Sequence, residues 1–190
     1  VVQRLLQAEQ ALQGEADGIR LAIFDAWRPL AVQRFMVRHA VTQECGAQGV
    51  NPDQPSPARE RIEAEVGRFW APPSDDPATP PPHSTGAAVD LTLADAAGDP
   101  LAMGGAIDAI GAVSEPQFHG PAALADPDGE AAQWHRHRQL LAWAMASAGF
   151  VQHPNEWWHF SWGDQLWAWR SAATAARYGR VGDVESSLNS

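Results

Sequence analysis

The stretch APPSDDPATPPPH, residues 71–83, constrains the chain more than any other. It holds six prolines between Pro72 and Pro82. Each lacks an amide N–H and fixes its own φ, so neither a helix interior nor a central strand can run through it. The connection must be extended and polyproline-like, and it delivers the backbone along a rigid approach to His83.

Before the prolines, Val2, Leu5, Leu6 and Leu12 recur at roughly helical spacing and stop near Gly14, which predicts an opening amphipathic helix. In GIRLAIFDAWRP, Ile19, Leu21 and Ile23 alternate with Ala22 and Phe24, the pattern of a strand covered on both sides. Pro29 then suits the first turn of a helix carrying Val32, Phe35 and Met36, which makes Asp25 to Arg28 a strand-to-helix corner. After a loop with Asn51, Pro52, Pro55 and Pro57, residues 59–70 read as a helix with Ile62, Val66, Phe69 and Trp70 inward.

Beyond the prolines, HSTGAAVDLTL puts Val89, Leu91 and Leu93 on one face of a strand and Asp90 and Thr92 on the other. Residues 98–127, rich in Gly, Pro and Asp, read as a long active-site or lid loop. Residues 130–148 predict a helix with Trp134, Leu141, Met145 and Ala148 inward and Gly149 at its C-terminal cap. Phe150 and Val151 open a terminal strand pair or hairpin, followed by a helix through Leu166, Trp167 and Trp169. No internal repeat is apparent.

Length predicts a single domain over residues 1–190, and 45% apolar with 19% charged residues excludes a disordered polymer. No run approaches the roughly 20 apolar residues of a spanning helix, so membrane insertion is not expected. A formal charge of −10 argues against nucleic acid or an anionic membrane as partner and leaves small uncharged, zwitterionic or cationic ligands open. The lone Cys45 excludes an internal disulfide framework and a cysteine zinc cluster, and it leaves the compartment, cytoplasmic or periplasmic, open. A start at Val1, with no signal segment visible, suggests that something preceded it.

EWWHF, residues 156–160, sets an acid and a histidine around two tryptophans, the composition of a semi-buried site. A catalytic zinc site needs imidazole nitrogens and carboxylate oxygens converging tetrahedrally with one position open to water. His83, Asp90 and His159 meet that need, and Gly86 lets the chain turn so that a loop histidine and a strand aspartate face each other. Glu156 is suited to take a proton from the attacking water and give it to the leaving nitrogen. It lies three residues before His159, so a regular strand would set the two on opposite faces, and a bulge or bend between them is expected. The plainer reading is a surface acid, a core-rim histidine and tryptophans as packing. Arg28 has two readings as well, an ion pair with Asp25 or a donor to the oxyanion formed in carbonyl attack. His39 in a helix, His119 and His153 in loops, and His135 and His137 on a charged helical face are assigned structural or solvated roles.

FDAWRP, HSTGAAVDLTL, MGGAID and NEWWHFSWG, taken in order and spacing, resemble the zinc D-alanyl-D-alanine dipeptidases of the vancomycin-resistance type. These are relatives of the zinc D-Ala-D-Ala carboxypeptidases and of the hedgehog signalling domain. The resemblance spans about residues 15–170. It implies an α+β fold with a small, mostly antiparallel sheet, helices packed on it, and the zinc held at the sheet edge. It implies one Zn2+ per chain on His83, Asp90 and His159, Glu156 as general base and acid, and Arg28 on the carbonyl oxygen. Asp108, in MGGAID, resembles the acid that holds the substrate ammonium. There are departures. Pro81 and Pro82 stand where the family commonly has a Ser-Ser pair that helps bind the substrate carboxylate, and Trp27 stands where Tyr is frequent. The family also usually begins with a further segment that contributes to the substrate pocket, and this sequence is expected to lack it. The expected partner is a small dipeptide; the oligomeric state is open. Two alternatives stand beside this, a peptidoglycan D,D- or L,D-carboxypeptidase or endopeptidase, and a zinc-containing binding module without catalysis.

Overall fold

The alternation of Val89, Leu91 and Leu93 with Asp90 and Thr92 builds β2 (Ala88–Ala94), an inner strand of a four-stranded antiparallel sheet. The computed structural model describes residues 1–182. The sheet runs β1-β2-β4-β3, with β1 at Arg20–Asp25, β3 at Val151–Gln152 and β4 at His159–Ser161. With six α-helices among the described residues, this is the α+β architecture expected.

Val89, Leu91, Leu93 and Phe160 point to one side of the sheet. There they form the main core with Ala8 and Leu12 of α1 (Val2–Glu15) and with Leu141, Ala144 and Met145 of α5 (Glu130–Ser147). Gly149 follows α5 at φ +83, a conformation that favours glycine, and an added Cβ there would meet the Arg4 guanidinium at 2.8 Å. Arg4 donates to the Ala148 carbonyl at 2.6 Å, fastening α1 to the end of α5. A smaller core joins α2 (Leu30–Ala47) to α3 (Pro57–Val66) through Cys45, Ile62, Val66, Phe69 and Trp70.

Several expectations from pattern are corrected. Helix α1 buries Ala8 and Leu12, while Val2 and Leu6 face solvent. Strand β1 is one of the two outer strands and is not covered on both sides: Ile23 and Phe24 are 57% and 61% exposed. Helix α2 packs on α3 through Met36, Val37, Ala40 and Val41, which leaves Val32 and Phe35 outward and buries Gln33. Helix α3 starts at Pro57, where the Ser56 hydroxyl caps the Arg59 N–H at 3.2 Å, and ends at Val66; Phe69 and Trp70 are buried beyond its end. Residues 98–127 are not one open loop, since they contain α4 (Gly120–Ala125), which packs on α5. Trp134 is only partly buried on α5, and Arg138 takes the inner position. The last helix, α6 (Gln165–Arg170), is capped by Asp164, which accepts from the Trp167 N–H at 2.8 Å.

The other side of the sheet carries the polar row. Asp25 of β1, Asp90 of β2 and His159 of β4 are successive register partners, and an irregularity between Ile23 and Asp25 brings Asp25 opposite Asp90. Asp90 and His159 form the last rung of the β2–β4 ladder. The proline-rich connection reaches this end of the sheet through one 3-10 turn, Pro82–Thr85, and Gly86 at φ +66 turns the chain into β2.

Candidate metal centre

Three donor groups converge where that turn meets the last rung. The His83 Nδ1–H donates to the Ala26 carbonyl at 2.7 Å, which leaves its Nε2 lone pair facing inward. His159 is held the other way round, with Nε2 on the Ser161 hydroxyl at 3.2 Å and Nδ1 inward. The two inward nitrogens are 3.2 Å apart. Asp90 Oδ2 lies 3.2 Å from His83 Nε2, and Oδ1 lies 3.0 Å from His159 Nδ1. All three side chains are buried, and their donor atoms lie within 4.8 Å of one another.

The chemistry of this set asks for a cation. Two imidazole lone pairs and a carboxylate face each other at hydrogen-bond distance, and Asp90 Oδ1 is a buried acceptor without a hydrogen-bond partner. Burial works against the Asp90 charge, but the adjoining His159 and His83 rings outweigh it and hold the carboxyl below the usual range. At His83 burial opposes the imidazolium, yet Asp90 leaves its pKa raised. Two neutral imidazoles and one carboxylate, with His83 fixed from behind by a backbone carbonyl, fit a zinc ion that keeps a fourth position open.

Glu156 reaches the same point through a bend. Residues 157 and 158 interrupt the strand geometry, so Glu156 and His159 turn to one side, with Glu156 Oε2 3.6 Å from His159 Nδ1. Trp157 and Trp158 at the bend are almost fully buried, and the fold fills the space behind Glu156 with them. Burial, followed by the charges of Asp90 and Asp108, pushes the Glu156 carboxyl well above the usual range, with Arg28 acting against them.

Of the two readings of Arg28, the ion pair with Asp25 is present. Its Nε and Nη2 donate to Asp25 Oδ2 at 2.8 and 2.5 Å, and its Nη1 donates to Gln33 Oε1 at 2.8 Å. Nη2 also reaches Asp90 Oδ2 at 3.4 Å. Gln33 is itself held by the Ala71 carbonyl at 2.7 Å. Of the five N–H groups of a guanidinium, one on Nη1 has no acceptor among the described residues, and Arg28 lines the cleft.

The cleft is walled by Phe69, Trp70 and Trp158 as well as by the polar groups. Asp108 stands on its wall with φ +65, a left-handed conformation that non-glycine residues seldom adopt. Burial and the Asp90 charge push its carboxyl up to about 6. Two cleft residues were not singled out from the sequence. Gln33 sits in a helix read only for its apolar residues. His153, assigned a structural or solvated role, instead lines the cleft, with its ring 5.5 Å from that of His159 and its Nδ1 3.9 Å from Glu156 Oε2. Burial, with His159 beside it, lowers its pKa to about 3 and keeps it neutral. Spacing within HPNEWWH, with a histidine three residues before Glu156 and six before His159, was the available clue.

Comparison with known proteins places this geometry in context. Residues 1–177 match the family model described as D-Ala-D-Ala dipeptidase. A D-alanyl-D-alanine dipeptidase of Synechocystis sp. is 43% identical over 193 residues, covering 95% of this chain and 77% of its own. A D-alanyl-D-alanine dipeptidase of Escherichia coli is 32% identical over 146 residues, covering 77% of this chain and 56% of its own. Among solved structures, a vancomycin-resistance D,D-pentapeptidase in complex with Zn(II) superposes with a TM-score of 0.49 at 16% identity, over 85% of this chain and 69% of that one.

Proposed function

The chain belongs to the D-Ala-D-Ala dipeptidase family, and from this we propose that it is a zinc peptidase that hydrolyses D-Ala-D-Ala or a similar short dipeptide with a free ammonium group. The observation that carries the reading is the buried Asp90 carboxylate, with Oδ1 3.0 Å from His159 Nδ1 and Oδ2 3.2 Å from His83 Nε2, beside the Glu156 carboxyl group.

His83 Nε2, Asp90 and His159 Nδ1 would hold the ion. Bound there, zinc supplies a Lewis acid that polarises the scissile carbonyl and acidifies water. Glu156 takes a proton from the attacking water and delivers it to the departing amide nitrogen as the carbon–nitrogen bond breaks. Arg28, fixed by Asp25 and Gln33, presents its remaining Nη1–H to the oxygen on which negative charge develops. Asp108, which lines the cleft, holds the substrate ammonium. At the carboxylate end Pro81 and Pro82 offer no N–H donors, so recognition there is looser than at the ammonium.

The experiment is a hydrolysis panel of D-Ala-D-Ala, L-Ala-D-Ala, L-Ala-L-Ala and N-acetyl-D-Ala-D-Ala with zinc-loaded protein. The reading expects the free D,D-dipeptide to be cleaved best and the acetylated one at least about a hundredfold more slowly in kcat/KM, because acetylation removes the charge that Asp108 pairs. Equal rates on free and acetylated dipeptides would point to a carboxypeptidase or endopeptidase instead.

A further inference from the structure

Arg138 is 1% exposed on α5 and has no carboxylate partner among the described residues. All its hydrogen bonds go to backbone carbonyls of one segment. Its Nε donates to Met103 at 2.7 Å, Nη1 to Glu115 at 2.9 Å and Nη2 to Val113 at 3.0 Å. A buried guanidinium without a counter-charge is expensive, and burial lowers its pKa only to about 10, so it stays charged at neutral pH. Its rigid fork of donors, which a lysine cannot imitate, is what the fold gains.

Those carbonyls bracket Asp108: Met103 lies before it, and Val113 and Glu115 lie after it. Within the bracket, the Ser114 hydroxyl donates to the Ala109 carbonyl at 2.5 Å, next to Asp108 in sequence. The Trp157 N–H donates to the Ser114 carbonyl at 2.9 Å, joining this segment to the one that carries Glu156. The Arg138 guanidinium also lies 5.2 Å from the centre of the Trp157 ring. Asp108, at φ +65, therefore sits in a strained conformation within a segment clamped at both ends. Arg138 itself is absent from the wall of the cleft.

We propose that Arg138 is a positioning residue for substrate recognition: it clamps residues 103–115 through three carbonyls and, with Ser114, sets the Asp108 carboxylate at a fixed distance from the metal-ligand cluster. This rests on the reading of Asp108 as the ammonium partner. A clamp of this kind acts on binding of the charged end of the substrate and leaves bond cleavage alone.

The test uses the zinc-loaded full chain with Arg138→Lys and Ser114→Ala, the second a small change that guards against misfolding in the first, and with Asp108→Asn as reference. Each is assayed on free and N-acetylated D-Ala-D-Ala, with zinc content measured. The expected result for both positioning variants is one zinc per chain, a KM for the free dipeptide raised about tenfold or more, kcat within about threefold, and little change in kcat/KM on the acetylated dipeptide. An unchanged KM in both, or parallel losses on both substrates, would overturn the proposal. Asp108→Asn separates the two levels. If it too fails to narrow the gap between the substrates, the ammonium reading falls and the clamp's role with it. If it narrows the gap while the other two variants do not, only the clamp is refuted.

Discussion

Asp90 and His159 are register partners on β2 and β4, so their side chains leave the same face of the sheet, with His159 Nδ1 3.0 Å from Asp90 Oδ1. Backbone pairing thus presets two donor groups, and only His83 has to be delivered by a separate segment. The 3-10 turn after the prolines does this, and the Ala26 carbonyl orients the ring.

Because the donors converge in the folded chain alone, zinc should stabilise it by mass action. At a free concentration about a thousandfold above Kd the gain is about 4 kcal/mol. For a chain of this size that corresponds to a rise in Tm of roughly 8–16 °C. Calorimetry with and without zinc should show this shift in the wild type, and His83→Ala and His159→Ala should lose both the shift and the bound metal. A full zinc-induced shift in both variants would remove these residues from the metal site.

Glu156 is assigned to proton transfer and not to metal binding. Glu156→Gln keeps the shape of the side chain against Trp158 and His159 but cannot accept the proton. Zinc content by metal analysis should stay near one per chain while kcat falls by about two orders of magnitude or more. Retained turnover contradicts the assignment.

The Arg28 fork cannot be reproduced by an ammonium, since it bonds Asp25 through two nitrogens and Gln33 through the third. Arg28→Lys should retain zinc and lower kcat by about a hundredfold, the scale of losing one donor to a developing oxyanion. Steady-state kinetics with metal analysis checks this, and a loss confined to KM would mean that Arg28 acts in binding only.

Asp108 should make the metal-free protein less stable as pH rises. Its folded pKa, about 6, lies above the ordinary value of 3.8, because burial and the Asp90 charge disfavour the carboxylate. The folded state therefore binds the proton more tightly, and stability declines from about pH 4 to pH 6. Asn tolerates positive φ, so Asp108→Asn removes the charge without forcing the backbone. The metal-free variant should be more stable than wild type above pH 6 by roughly 2–3 kcal/mol, at about 1.4 kcal/mol per pKa unit, and equal to it near pH 4. Urea denaturation at the two pH values measures the difference, and a pH-independent gap would reject the titration.

The parts of the site that were legible in sequence share a property: each lies in a short stretch whose local pattern constrains its direction. Alternation along VDLTL turns Asp90 away from Val89 and Leu91, and the three-residue offset of Glu156 and His159 demands the bend found at residues 157 and 158. Gln33 and Arg138 were not legible, because their surroundings come from distant segments. Gln33 is held by Ala71 across 38 positions, and Arg138 by carbonyls 23 to 35 positions away. No local period announces a buried polar side chain whose partners are loop carbonyls. The exposure of Ile23, Phe24, Val32 and Phe35 escaped for a related reason, since alternation and helical spacing mark apolar positions without saying which element covers them.

The most direct measurement of the central claim is the release of D-alanine from D-Ala-D-Ala by protein stripped of metal with a chelator and then titrated with zinc. Stripped protein should be inactive, and activity should rise linearly and level off at one zinc per chain, with Glu156→Gln binding the same single equivalent and staying inactive. Full hydrolysis by the stripped protein, or a zinc-loaded wild type that releases no D-alanine, would contradict a zinc dipeptidase built on His83, Asp90, His159 and Glu156.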